Sequence, residues 1–107
     1  MFIAMNRFRV ALGREGDFEE IWLKRDSHLK DVPGFVEFKL LKGPEREDHR
    51  LYASHSVWAS QAEFEAWTNS DAFRKAHQGA KPRAGLYLGP PRFEGFDVLQ
   101  KVQGDGA

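Results

Sequence analysis

Between Phe2 and Val10 the chain alternates. Phe2, Ala4, Phe8 and Val10 share one face with Asn6, while Arg7 and Arg9 lie on the other. A period of two is a strand. After Gly13 and Gly16 the period lengthens: Phe18, Ile21, Trp22, Arg25 and Leu29 fall at helical spacing, with Glu19, Glu20, Lys24 and Asp26 largely elsewhere. The spacing predicts an amphipathic helix from Asp17 to Leu29 whose acidic first turn suits its dipole. Pro33-Gly34 then breaks the chain. The run from Phe35 to Leu41, with Val36, Phe38 and Leu40 on one face, predicts a second strand. Gly43-Pro44 and the charged run Glu45 to Arg50 predict a turn. Leu51 to Trp58 predicts a third strand, setting Leu51, Ala53, His55 and Val57 opposite Tyr52, Ser54, Ser56 and Trp58. The last two strands are expected to pair as an antiparallel hairpin.

Ser60-Gln61-Ala62-Glu63 fits a capping box, opening a helix on which Phe64 and Trp67 sit three apart. Ser70-Asp71 can cap a second short helix carrying Phe73, Ala76 and His77 as a stripe. Gly79 to Pro91 is rich in Gly and Pro and predicts a loop. Phe93 to Val102 predicts a final strand with Phe96, Val98 and Val102 on one face. The order strand, helix, strand, strand, helix, strand is the α+β, ferredoxin-like βαββαβ plan, an antiparallel sheet with helices on one face. Both faces of several strands carry apolar groups, so the uncovered face wants a partner. We expect a two-fold homodimer, a dimeric α+β barrel. The 107 residues suffice for one domain, residues 1–103, followed by a frayed tail at 104–107.

Sixteen Lys and Arg balance sixteen Asp and Glu, which argues against nucleic-acid binding through bulk charge. The absence of Cys excludes disulfides, Cys-based zinc sites and thiol chemistry. Apolar runs are too short to span a bilayer, and the N-terminus lacks the basic and long apolar regions of a secretory signal. A cytoplasmic protein with no membrane partner is the expectation.

Three residues could carry chemistry. Asn6 stands on an apolar strand face, where an unpaired amide costs about 1–3 kcal/mol. Either it bonds neighbouring backbone or it is aimed into a cavity. His77 is either a histidine at the edge of the core near a helix C-terminus or a metal ligand, imidazole being the commonest protein ligand of transition metals and of haem iron. Trp67 is either core or a ring pressed on a flat ligand. A zinc site from His28, His49 and His55 has no support in their spacing. Lys81 and Arg83 are loop cations that are either solvated or meet an anionic ligand group. Phosphate loops, nucleophile elbows and paired-carboxylate motifs are missing.

The opening Phe-Ile-Ala-Met-Asn-Arg-Phe, Val32-Pro33-Gly34-Phe35, Trp58-Ala59-Ser60, and the set Phe64, Trp67, Ser70, Phe73, Ala76 and His77 together resemble the antibiotic biosynthesis monooxygenase superfamily. Within it they are similar to the haem-degrading monooxygenases of the IsdG type, most of all to the rhizobial haem oxygenases. The likeness runs from Phe2 to about Val102. It implies a homodimer with one haem per subunit, where haem and its iron are both substrate and cofactor. His77 would be the axial iron ligand. Asn6 would lie on the distal side as a hydrogen-bond donor to dioxygen at the iron. Trp67 would crowd the porphyrin and bend it. Trp22 and Arg25 fall where the family has an aromatic and a cation, Arg25 as a contact for a propionate. The implied reaction opens the ring with dioxygen and electrons from a separate donor, releasing iron and a bilin, with biliverdin the expected product. A neutral His77 is needed to hold iron, so affinity is expected to fall on acidification. The competing readings are a cofactor-independent quinol or polyphenol monooxygenase of the same superfamily and a non-enzymatic haem carrier.

Overall fold

The alternating start of the chain forms strand β1 (Phe2–Ala11). In the computed structural model, which describes residues 1–25, 29–78 and 85–105 without the side chains of 76–78, it is followed by α1 (Glu15–Leu23), β2 (Phe35–Glu45), β3 (His49–Trp58), α2 (Gln61–Thr68), α3 (Asp71–Gln78) and β4 (Arg92–Asp97). The strands form one four-stranded sheet in the order β2-β3-β1-β4, every neighbouring pair antiparallel. This is the expected ferredoxin-like plan.

Register explains where the core sits. On the helix-covered face β1 and β3 set Phe2 opposite Trp58, Ala4 opposite Ser56, Asn6 opposite Ser54 and Phe8 opposite Tyr52. Large rings stand at both ends of this face and small or polar groups in its middle. The core therefore splits in two. One cluster gathers Phe2, Ala4, Leu29, Trp58 and Trp67. The other gathers Phe8, Val10, Phe18, Tyr52 and Leu86. Phe18 is fully buried and packs its ring on those of Phe8, Trp22, Tyr52 and Tyr87. Phe18→Ala is expected to destabilise the fold by about 3–5 kcal/mol, the usual cost of deleting a buried ring, read as a lowered midpoint in urea unfolding.

Several boundaries differ from those the sequence predicts. Helix α1 ends at Leu23, not Leu29, because the Arg25 N–H bonds the Trp22 carbonyl three residues back (3.3 Å), tightening the last turn and releasing the chain. Leu29 is buried but on no helix, so its helical spacing from Arg25 was fortuitous. Strand β2 continues through Gly43-Pro44 to Glu45 across a register shift, and the turn shrinks to residues 46–48. Proline is tolerated because β2 is an edge strand and the pairing is bulged there. A Cβ on Gly43 would meet the Leu51 carbonyl oxygen at 2.9 Å, so only glycine permits that approach. Strand β4 stops at Asp97. The Val98 N–H makes a final bond to the Met1 carbonyl (2.9 Å), and Leu99 and Val102 stand in solvent. The predicted 79–91 loop contains a rung of its own: Ala11 N–H bonds Leu86 O (2.9 Å) and Leu88 N–H bonds Arg9 O (3.0 Å), which carries Leu86 into the core.

The capping signals hold. Ser60 Oγ accepts the Glu63 backbone N–H (3.2 Å) and Ser70 Oγ accepts that of Phe73 (3.1 Å). Ser60→Ala is expected to cost about 1 kcal/mol through the loss of this cap, measurable as a lower thermal midpoint. The Glu63 carboxylate accepts from the Ser60 hydroxyl (3.4 Å). Opposite the helices, Leu41 and Phe96 remain exposed. Among the described residues, no helix is long and apolar enough to cross a membrane.

Candidate functional site

The gap between the two aromatic clusters is a cavity of about 420 Å³, within the size range of small-molecule sites. Its floor is the middle of the sheet: Ala4 and Asn6 from β1, Ser54 and Ser56 from β3. Trp22, Arg25 and Phe38 form one wall. Trp22 and Phe38 stack nearly parallel, 6.3 Å between centroids at 6°. Phe64, Trp67, Phe73 and Phe93 form the other. There Phe64 and Phe93 stack at 5.6 Å and 5°, and Trp67 meets Phe73 edge-on at 5.4 Å while lying against Trp58 at 6.3 Å. Helices α2 and α3 hold this second wall through their serine caps, and β4 supplies Phe93 directly beside Asn6 in register.

Polar groups are few. Ser56 Oγ donates to the Ala4 carbonyl (3.3 Å) and accepts from Trp58 Nε1 (3.0 Å). The Asn6 amide makes no side-chain hydrogen bond among the described residues, so it is not tied to neighbouring backbone and is left facing the cavity. Arg25 lies just beyond α1 with its guanidinium carbon 4.6 Å from the Trp22 ring centroid, a cation–π contact. Its Nε is buried without a hydrogen-bond partner among the described residues. Desolvation holds the Arg25 pKa below its ordinary value, with the Tyr87 phenol pulling the other way. Arginine stays cationic regardless, so this wall offers an anionic ligand group a positive charge that is unpaired among the described residues.

Four of the expected residues, Asn6, Trp22, Arg25 and Trp67, thus line one cavity. His77 occupies α3 four positions after the cavity residue Phe73, and its side chain lies outside the described residues, as do Lys81 and Arg83. The described residues contain no cluster of three or more His, Asp or Glu able to hold a metal. His49 Nδ1 sits 2.6 Å from Asp48 Oδ1, and His55 belongs to the other face of the sheet. The cations of β1 are engaged on that face: Arg7 pairs with Glu94 at 2.5 Å and Arg9 donates to Leu88 O at 3.2 Å. Phe38, Phe93, Ser54 and Ser56 were missed as site residues. The pair of serines between Tyr52 and Trp58 on one strand face was the available signal, since small polar groups between large rings leave space.

Helix α1 is tied to the sheet below Trp22. The Tyr52 hydroxyl donates to Glu19 Oε2 (2.5 Å), which also pairs with Lys42 Nζ (3.0 Å). These contacts hold the Glu19 carboxyl below its ordinary 4.5, the Tyr52 bond first. Burial, then the Glu19 contact, pushes the Tyr52 phenol up. A lowered carboxyl contributes stability that is full above the unfolded value and lost as pH falls through the folded one. A raised phenol contributes stability that is lost as pH rises through its folded value. Thermal midpoints are therefore expected to fall below pH 4.5, and Tyr52→Phe is expected to flatten that acid slope. An unchanged slope would remove this tie.

Residues 1–79 match the family described as antibiotic biosynthesis monooxygenase. Among curated proteins, the chain is 31% identical over 104 residues to a mycobilin-producing haem oxygenase of Mycobacterium tuberculosis, covering 97% of this chain and 94% of that one. It is 30% identical over 78 residues to a staphylobilin-producing haem oxygenase of Staphylococcus haemolyticus, covering 73% and 74%. Among solved structures, it superposes on the haem degrader MhuD of M. tuberculosis, which holds two haems in its active site, with TM-score 0.75 and 27% identity over 96% of this chain and 100% of that one. These relatives are mycobacterial and staphylococcal, not rhizobial. With the matched fold and a matched segment that carries Asn6, Trp67 and His77, the chain belongs to the antibiotic biosynthesis monooxygenase family.

Proposed function

We propose that this protein is a haem-degrading monooxygenase that takes haem as its substrate in the cavity between the two aromatic clusters. The observation that carries the reading is the match between that cavity and a flat, mostly apolar dianion: aromatic walls, an amide on the floor and, in one wall, a half-buried cation whose Nε has no partner among the described residues. The names of the relatives point the same way.

In this reading each residue has one task. The stacked pairs Trp22–Phe38 and Phe64–Phe93 exclude water and present ring faces and edges to the macrocycle. Arg25 takes a propionate carboxylate, completing the hydrogen bonding its Nε lacks. Asn6 donates a hydrogen bond from the floor. Trp67, wedged between Trp58 and Phe73, presses on the ring and distorts it. His77, from α3, holds the iron. The iron supplies the oxygen chemistry, and the protein supplies ligation, orientation and a dry enclosure. We read residues 1–103 as one domain of a cytoplasmic homodimer, with the exposed Leu41 and Phe96 face as the dimer contact. Electrons come from a separate donor.

Haemin titration tests the reading. The apoprotein is expected to take up about one haemin per subunit with a shifted Soret band, as expected when protein ligands replace solvent at the iron. With ascorbate in air the band is expected to decay, freeing iron and a bilin. Product mass distinguishes biliverdin, our expectation, from the oxygenated mycobilin and staphylobilin types. No Soret shift, with oxygen uptake on a quinol, would mark a cofactor-independent oxygenase instead. A haem complex that survives reductant and oxygen unchanged would mark a carrier.

A further inference from the structure

Ser54 is 7% exposed and lines the cavity, yet its hydroxyl makes no hydrogen bond among the described residues. The other floor serine, Ser56, has both its donor and its acceptor engaged by Ala4 and Trp58. Ser56 is accounted for by the fold, and Ser54 is not. The Ser54 hydroxyl opens onto the cavity and not into the packed core, so a ligand that fills the cavity and displaces water would leave it unsatisfied unless it bonded the ligand. Nor can its neighbours answer it. On β2 the residue in register with Ser54 is Leu40. On β1 it is Asn6, whose own far neighbour on β4 is Phe93. Amide and hydroxyl thus stand side by side on one sheet face, flanked by apolar groups and unbonded to each other. Directly opposed residues of an antiparallel pair hold their Cβ atoms roughly 4.5–5.5 Å apart, close enough for both polar tips to reach one small ligand above them.

We infer that Ser54 is a second hydrogen-bonding residue of the site, acting with Asn6 as a two-point seat for a small oxygen or nitrogen ligand at the floor of the cavity. The amide donates. The hydroxyl, which can donate or accept, adjusts to whichever end of the ligand it meets. The inference rests on the haem reading, because haem is what would place such a ligand over the floor.

The test is azide titration of the haemin-loaded protein in wild type, Ser54→Ala and Ser54→Thr, with haemin affinity measured in parallel. Ser54→Ala is expected to leave haemin affinity unchanged and to raise the azide dissociation constant roughly 3- to 10-fold, the worth of one hydrogen bond. Ser54→Thr keeps the hydroxyl and is expected to restore most of the affinity. Equal azide affinity in wild type and Ser54→Ala would overturn this inference and leave the haem reading standing. No Soret shift in wild type would overturn both.

Discussion

His77→Ala is expected to abolish tight haem binding while leaving the fold intact. As the iron ligand, the imidazole would supply a direct protein bond to the metal, while the cavity groups among the described residues offer ring contact, a hydrogen bond or charge. Loss of a partner that merely supports a metal ligand costs 10–100-fold in affinity, so loss of the ligand itself is expected to cost about 100-fold or more. The helix has little reason to suffer, because alanine is the better helix former and α3 keeps its Ser70 cap. Circular dichroism is expected to match wild type, the Soret maximum to move toward that of free haemin, and added imidazole to restore part of the wild-type spectrum. Retained affinity with an unchanged spectrum would take His77 off the iron. Affinity for haemin is also expected to fall on acidification, since proton and iron compete for one lone pair.

The parts of the fold legible in the sequence were those written in short-range chemistry. The alternation from Phe2 and the Ser60–Glu63 and Ser70 caps each depend on a few neighbouring residues, and each formed as spelled. What the sequence misplaced was set by partners distant in the chain. The extent of β4 depends on its pairing with β1, and the burial of Leu86 on a rung with Ala11. Passage of β2 through Pro44 depends on its place at the sheet edge. The candidate site divides the same way. Asn6 broke a local pattern, and Trp67 is a large ring at helical spacing beside Phe64, so both could be picked out. Phe38, Phe93 and Ser54 follow ordinary strand patterns and become site residues only when β2, β3, β1 and β4 lie side by side. Arg25 fell at helical spacing, yet its place in the cavity comes from the end of α1 just before it.

Asn6→Leu is the change expected to separate binding from turnover. Leucine branches at Cγ as asparagine does and is somewhat bulkier, so the floor stays filled and the flanking Phe93 and Ser54 keep their neighbour. The amide has no hydrogen bond to lose among the described residues, so stability is expected to hold or rise slightly, because a polar group leaves an apolar enclosure. Haemin affinity is expected to stay within about threefold of wild type, since no charge and little contact area is removed. Turnover is another matter. A fixed donor aimed where negative charge develops in a water-poor site is worth about 10²–10³ in rate, and Asn6 is the one amide among the described residues of this cavity. Decay of the Soret band under ascorbate and oxygen is therefore expected to slow by about 100-fold. Asn6→Gln, which keeps the donor but displaces it by one methylene, is expected to fall between. Wild-type decay in Asn6→Leu would show that the amide is packing, and would pass the hydrogen-bonding role on the floor to Ser54 alone.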